Sequence, residues 1–327
     1  MGQNMTLSVD AVIPVFNAER FIVDTVLSAL AQTHALNKII IVDDGSSDHS
    51  VDAIRRFRSP AIHLITAAHG GVSRARNIGI HESTADYIAF LDADDLWDRT
   101  RIAKAVEAAT EHPDAAVIYC NETPIDEYGR EITAYRSEIG SSAGDLFKAI
   151  LLDGYRLGNP SALVVARKAL IDVGGFDERL QFSEDVDLYV RLAERYAVAA
   201  NAERLVRRRD HPYSTTKAVC RQARIVEDHL VFLSKWVHLL KHDTPAVLAA
   251  KTQLRVVLQR LGVVGGLAFF WGLHSHPNVA KVLGTDHLRG PIVFLDLICR
   301  GSLHHLANRN QAVASLRRMY RHFRAQR

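Results

Sequence analysis

Two carboxylates separated by one small residue, Asp92-Ala93-Asp94, follow the apolar run Tyr87-Ile88-Ala89-Phe90-Leu91. While the chain stays extended, residues two apart point the same way, so both acids reach one side, and Ala93 leaves room for a ligand between them. Hard carboxylate oxygens placed like this can hold Mg2+ or Mn2+ and leave positions for phosphate oxygens and water. Such an ion offsets repulsion between carboxylates and a diphosphate, and it stabilises a diphosphate leaving group. The plainer alternative is that Asp94 or Asp95 caps a helix starting near Asp98.

Four other clusters carry chemistry. Asp43-Asp44-Gly45-Ser46 ends the apolar run Lys38 to Val42. It is good turn and capping material, or one of its carboxylates accepts a hydrogen bond from a nucleotide's base or ribose. Arg74 and Arg76 lie two apart on a predicted helix, so they do not share a face and at most one reaches a ligand easily. The planar fork of arginine suits a diphosphate. Glu184 and Asp185 follow Ser183 at a predicted helix start, where the helix dipole favours acids. Their functional reading is a general base that takes a proton from an acceptor hydroxyl. His211, after Arg207-Arg208-Arg209-Asp210, either completes a metal site or contacts phosphate; a lone histidine is more often structural.

These residues need elements to bring them together. Leu7 to Phe16 reads as a strand, Ala18 to Thr33 as a helix and Lys38 to Val42 as a second strand. A helix follows through Phe57. Ala61 to Thr66 is a third strand, Ser73 to Ile80 a helix and Tyr87 to Leu91 a fourth strand. This alternation predicts an α/β fold with a mostly parallel sheet covered on both faces. In such a sheet ligands bind beyond the carboxyl ends of the strands. Phe16, Asp43-Asp44 and Asp92-Ala93-Asp94 all fall at such ends, and that convergence says more than any one cluster. Thr123 to Tyr135 reads as a hairpin, Ser161 to Ala166 as a strand and Glu184 to Tyr196 as a helix. From about Thr215 helical patterns dominate, which predicts a first domain over 1–215 and a helical C-terminal region over 216–327.

With 327 residues, 48% of them hydrophobic and 24% charged, the chain can bury a sizeable core. Lysine and arginine number 40 against 37 acids, a balance that does not suggest a nucleic-acid binder, and no aromatic-and-basic motif appears in the body of the chain. From Arg300 to Arg327 there are seven arginines and no acid. The apolar stretch Leu261 to Leu273 reads first as a buried core helix; with Pro291 to Cys299 and the adjacent basic tail, peripheral contact with a membrane's inner face stays open as the alternative. Neither stretch has the roughly 20 residues of a spanning helix. Cys120, Cys220 and Cys299 are odd in number and scattered, against a disulfide scaffold and in favour of a reducing, cytoplasmic compartment.

Taken in order, Val12-Ile13-Pro14-Val15-Phe16-Asn17, Ile41 to Asp48, Gly70 to Gly79, Phe90 to Trp97, Gly174 to Glu178 and Glu184 to Leu188 resemble family 2 glycosyltransferases. Each stretch alone is weak; six in one order, over about Leu7 to Thr216, are specific. The resemblance implies the GT-A fold, a Rossmann-like sandwich. It places Pro14, Phe16, Asp44 and the adjacent Asp43 around the nucleotide base. Arg74, Arg76, Asp92 and Ala93 fall on the rest of a nucleotide-sugar, a UDP-sugar being favoured. Asp92 and Asp94 match the DXD motif for Mn2+ or Mg2+, and His211 loosely matches a later metal residue. Asp185 matches the catalytic base, Glu184 its acceptor-side neighbour, and Gly175-Phe176 the lining of the acceptor site. The implied reaction is an inverting sugar transfer to a glycan or lipid-linked acceptor, in cell-surface polysaccharide or glycoconjugate synthesis. Two rivals stay open: a nucleotidyltransferase that makes nucleotide-sugars, and a non-catalytic homologue. The first normally has a glycine-rich basic loop after strand one, where this chain reads Val15-Phe16-Asn17-Ala18-Glu19.

Overall fold

A computed structural model describes residues 7–132, 158–181, 183–214, 228, 230–232 and 234–235. The basic tail, the two late apolar stretches, Cys220 and Cys299 lie outside the described residues, as do positions 133–135 of the expected hairpin. The chain divides into two compact units, Met1–Pro212 and Tyr213–Arg327. In the second, the described residues from Leu230 to Phe232 are helical, with Leu230 and Phe232 buried.

The first unit is built on one sheet. In chain order its described elements are β1 Val9–Val15, α1 Ile22–Leu30, β2 Lys38–Asp43, α2 Ser50–Arg55, β3 Ile62–Thr66, α3 Val72–Glu82, β4 Tyr87–Phe90, β5 Leu96–Trp97, α4 Arg101–Glu111, β6 Ala115–Ile125, β7 Leu163–Ala166, α5 Arg167–Val173, α6 Glu184–Arg195 and β8 Ala197–Arg209. A short 3-10 turn, Pro160–Ala162, leads into β7. The spatial order is β3-β2-β1-β4-β7-β6-β8-β5. β1 pairs in parallel with β2 and β4, and β2 with β3. β7 runs antiparallel between β4 and β6, β8 returns parallel to β6, and the two-residue β5 pairs antiparallel with β8. The result is a mixed, mostly parallel sheet with helices.

β1 is buried along its whole length and β2 along all but its first residue, as expected of strands covered on both faces. Ile13 faces Ile41 and Val12 faces Phe90 across the ladders. α3 comes unusually close to β1, because a Cβ at Gly79 would lie 2.4 Å from Val12 Cγ1. Three residues earlier on the same helix, Arg76 reaches Asp92 just beyond the end of β4. Pro14 is itself a strand residue, in register with Val42.

Within the described residues, the expected hairpin over Thr123 to Tyr135 is the end of the long β6, a turn, and a return in which Glu131 bridges antiparallel to Ile125 and Ile132 N–H donates to the Pro124 carbonyl. The element after the Asp92–Asp95 cluster differs from the expectation. The helix near Asp98 starts at Arg101. Asp98 makes its opening turn by accepting from the Thr100 N–H and hydroxyl. Asp94 and Asp95 do not cap it, which removes the plain reading of that cluster.

Candidate active site

The loop Asp92–Asp95 leaves β4 at the sheet's carboxyl edge and is held from three sides. From α1, the buried Thr25 hydroxyl lies 2.9 Å from both the Ala93 and the Asp95 carbonyl oxygens. Ser28 accepts from Trp97 N–H, and Gln32 donates to the Asp98 carbonyl while accepting from Ile102 N–H. Thr25 and Ser28, three apart, share a face of α1, and Gln32 follows just past its end, so these three side chains together grip the run from 93 to 102. From the turn before β7, Ser161 accepts the Asp92 N–H at 3.0 Å and donates to Asp95 at 2.7 Å, and Asn159 donates to the same carboxylate. From the end of β8, Arg209 N–H donates to Asp95 at 2.8 Å and Arg209 Nε to the Asp94 carbonyl at 2.8 Å.

Asp95 is therefore the anchor of the loop rather than its open face. Burial pushes its carboxyl well above the usual carboxylate range, and the charges of Asp94 and Asp92 add to that. Asp92 and Asp94 stay partly exposed and turn to different partners. Asp92 Oδ1 accepts from Arg76 Nη2 at 2.7 Å. Asp94 Oδ2 lies 2.8 Å from His211 Nε2, and the His211 ring packs on Phe21. Among the described residues no three His, Cys, Asp or Glu side chains group to hold an ion. Of the expected metal residues Asp92, Asp94 and His211, Asp92 is engaged by the buried Arg76 guanidinium. Asp94 and His211 remain as a facing carboxylate and imidazole. That pair fits a cation that takes one or two protein donors and fills its other positions from phosphate and water.

On the nucleotide side, Phe16 is 48% exposed and stacks on His69, with ring centroids 4.3 Å apart. The buried Asp44 carboxylate accepts the Gly70 and Gly71 N–H groups at 2.7 and 2.8 Å, and His69 Nδ1 lies 2.9 Å from it. Asp44 thus fixes the loop before α3 against the end of β2, a role beyond a local turn. Asp43 has the local role, accepting from Ser46 N–H.

On the opposite side, α6 starts at Glu184 and presents two acids. Glu184 Oε1 accepts from Arg76 Nη1 at 2.9 Å. Burial and then the neighbouring Asp185 push the Glu184 carboxyl up to about 7, with Arg76 opposing. Burial also raises Asp185, against the pull of the Val186 N–H bonded to its Oδ1 at 2.7 Å and of Arg76. Tyr189, one turn on, is buried, and its hydroxyl donates to the Gly158 carbonyl.

Arg76, Asp92 and Glu184 form one ion triad, and Asp185 sits beside it. Arg74 stands apart, exposed, with Nη1 3.4 Å from the Ala68 carbonyl. Phe176 is 3% exposed, edge-on to Phe90 and under the Arg76 guanidinium at 5.1 Å. Asn77 clasps its backbone from both sides, donating to the Phe176 carbonyl and accepting its N–H. Gly175 permits this grip: its φ is +65°, and a Cβ there would lie 2.5 Å from Asn77 Oδ1. Sequence reasoning missed Thr25, His69, Asn159, Ser161 and Tyr189. The polar stripe on α1 was a readable signal for Thr25; the others are brought in by contacts between distant segments.

Residues 10–169 match the family described as Glycosyl transferase family 2. An uncharacterized glycosyltransferase of Rickettsia prowazekii is 26% identical over 221 residues, which is 67% of this chain and 69% of that protein. Two other curated relatives are matched over only 20% and 29% of their length, so this chain corresponds to part of those proteins. Among solved structures, S. aureus TarS 1-349 in complex with UDP-GlcNAc aligns over 90% of this chain and 93% of that one, with a TM-score of 0.58 and 14% identity. The mannosyltransferase PcManGT from Pyrobaculum calidifontis, in complex with GDP-Man and Mn2+, aligns over 97% and 84%, with a TM-score of 0.54 and 17% identity. The fold is that of the GT-A glycosyltransferases. Among the described residues no helix is long and apolar enough to cross a membrane.

Proposed function

Residues 10–169 place this chain in glycosyl transferase family 2, and from that premise we propose that it is an inverting enzyme. It moves a sugar from a nucleoside diphosphate sugar, a UDP-sugar in the first instance, to a hydroxyl of a glycan or lipid-linked acceptor. The structural neighbours solved in complex with UDP-GlcNAc and with GDP-Man support that donor class. The observation that carries the reading is the triad in which Arg76 joins Asp92, at the end of β4, to Glu184, at the start of α6. It sets a donor side and an acceptor side against each other, with Asp185 next to the junction.

In this mechanism the base stacks at Phe16, beside the loop that Asp44 holds. Asp92 faces the ribose, and the diphosphate lies along Ala93 and Asp94. When bound, a divalent cation seated by Asp94 and His211 supplies positive charge to the departing diphosphate. Asp185 accepts the acceptor hydroxyl's proton as that oxygen attacks the anomeric carbon. The bond from that carbon to the diphosphate oxygen breaks, and the new bond forms on the opposite face. Burial raises the Asp185 carboxyl and so makes it a stronger base than an exposed aspartate. Gly175, on the loop beside α6, and Phe176 shape the acceptor side from beneath. In this reading the C-terminal region 216–327, with its basic end, serves acceptor, oligomer or membrane-surface contact.

The test is a panel of UDP-, GDP- and dTDP-sugars with Mn2+, read by thermal shift and by slow hydrolysis. One nucleotide class is expected to stabilise the protein and to be hydrolysed. A panel without any shift would overturn the reading.

A further inference from the structure

Building on the proposed transfer reaction, we infer that Arg76 is a positioning residue: it clamps the donor-side Asp92 and the acceptor-side Glu184 into one unit, and it does not grip the donor's diphosphate. Both ends of its fork are in use, Nη2 on Asp92 at 2.7 Å and Nη1 on Glu184 at 2.9 Å. The residue is 3% exposed, and the Phe176 ring covers one face of the guanidinium. It lies on the buried side of α3 with Ser73, Ala75, Gly79 and Ile80, whereas Arg74 is turned to solvent. The next residue, Asn77, clasps the Phe176 backbone. Two adjacent positions of α3 therefore lock the acceptor loop and the two acids together.

Charge makes the clamp hard to release. One guanidinium serves two carboxyls, and moving it to a diphosphate strands a poorly solvated acid. The groups facing Glu184 are Asp185 on its own helix, Arg76 from α3 with Asp92 behind it, and Tyr189 one turn on. Arg76 is the cation of that set, so its loss is felt at Glu184 first.

Arg76→Gln and Arg76→Lys separate the clamp from a diphosphate ligand. Three quantities are read in the full chain: affinity for UDP relative to UMP by calorimetry, the transfer rate, and the Glu184 titration by carbon-13 NMR of labelled glutamate. For Arg76→Gln the UDP-over-UMP preference stays within about threefold of the parent. The rate falls about 100-fold through misplacement. The Glu184 midpoint rises from about 7 by about one pH unit or more. Arg76→Lys keeps the charge, so it holds the Glu184 midpoint near the parent's while still slowing transfer, because one ammonium cannot bridge both acids as a fork does. It also serves if the glutamine variant does not fold. A tenfold or greater loss of the UDP preference with Glu184 unmoved overturns the clamp. Binding and titration need no turnover. An inactive parent therefore sinks the transfer reading alone and leaves the clamp to be decided by these two measurements.

Discussion

Strands β1, β2 and β4 are short apolar runs, and their candidate site residues appear where the run stops: Phe16 after β1, Asp43 and Asp44 at β2, Asp92 after β4. The half of the sheet formed by β6, β7 and β8 works differently. β6 continues well past its β7 neighbour alongside β8, with register shifts around Asn121, and β8 ends in Arg207-Arg208-Arg209. There the candidate groups are placed by side-chain bonds between segments far apart in the chain, such as Arg209 to Asp94 and His211 to Asp94. On the first side the backbone does the positioning; on the second, networks do. Glu184 and Asp185 belong to the second side although they begin a helix, because their ionisation is governed by burial and by Arg76 from α3.

That contrast can be broken by substitution. The largest effect is expected at Asp185→Asn, which keeps shape and removes the proton acceptor. Transfer should fall about 10²–10⁴-fold while donor affinity stays near the parent's. Turnover and calorimetry on one preparation check this, and surviving transfer would remove Asp185 from its role. Next comes Asp94→Ala, which dismantles the carboxylate–imidazole pair. Nucleotide affinity in Mn2+ should drop about 10- to 100-fold towards the value measured in EDTA. If the parent binds equally well in Mn2+ and EDTA, that seat holds no functional ion.

A smaller effect sharpens the comparison on the donor side. Thr25→Val leaves the Ala93 and Asp95 carbonyls without their hydroxyl at nearly constant volume, for a loss of about 1–3 kcal/mol in urea unfolding. An unchanged midpoint would mean that β4 alone shapes the loop. The smallest concerns pH. Glu184 is raised above the ordinary glutamate value of 4.5 to about 7. The folded state therefore binds a proton that the unfolded state has already lost in that interval. Its contribution to stability is full below about 4.5 and disappears as pH rises through about 7. Glu184→Gln should flatten that part of the stability–pH curve, measured by denaturant titration at several pH values. An equally steep curve in the variant assigns the slope to another group.

The donor side was legible because its signals are local. Continuous apolar runs closed by Asp, Asn or Gly mark buried parallel strands, and their ends mark the binding edge whatever the rest of the chain does. β8 was not legible. Ala-Val-Ala-Ala-Asn-Ala-Glu-Arg is weak strand material, and it is extended because β6 offers it a ladder. Pro124 is tolerated in β6 because it lies beyond the last β7 partner, where no ladder on that side needs its missing N–H. The Asp92–Asp95 cluster shows the same division at one site. Its position at a strand end, and the acids and arginine able to serve a nucleotide-sugar, could be read from residue types and spacing. Tertiary structure alone decided that Asp95 is the buried anchor, that Asp94 faces His211 and that Asp92 faces Arg76. A carboxylate's role depends on which distant donors and cations reach it and on how much water is left around it. Those quantities exist only once segments more than 60 residues apart, such as Asp95 and Ser161, are packed together.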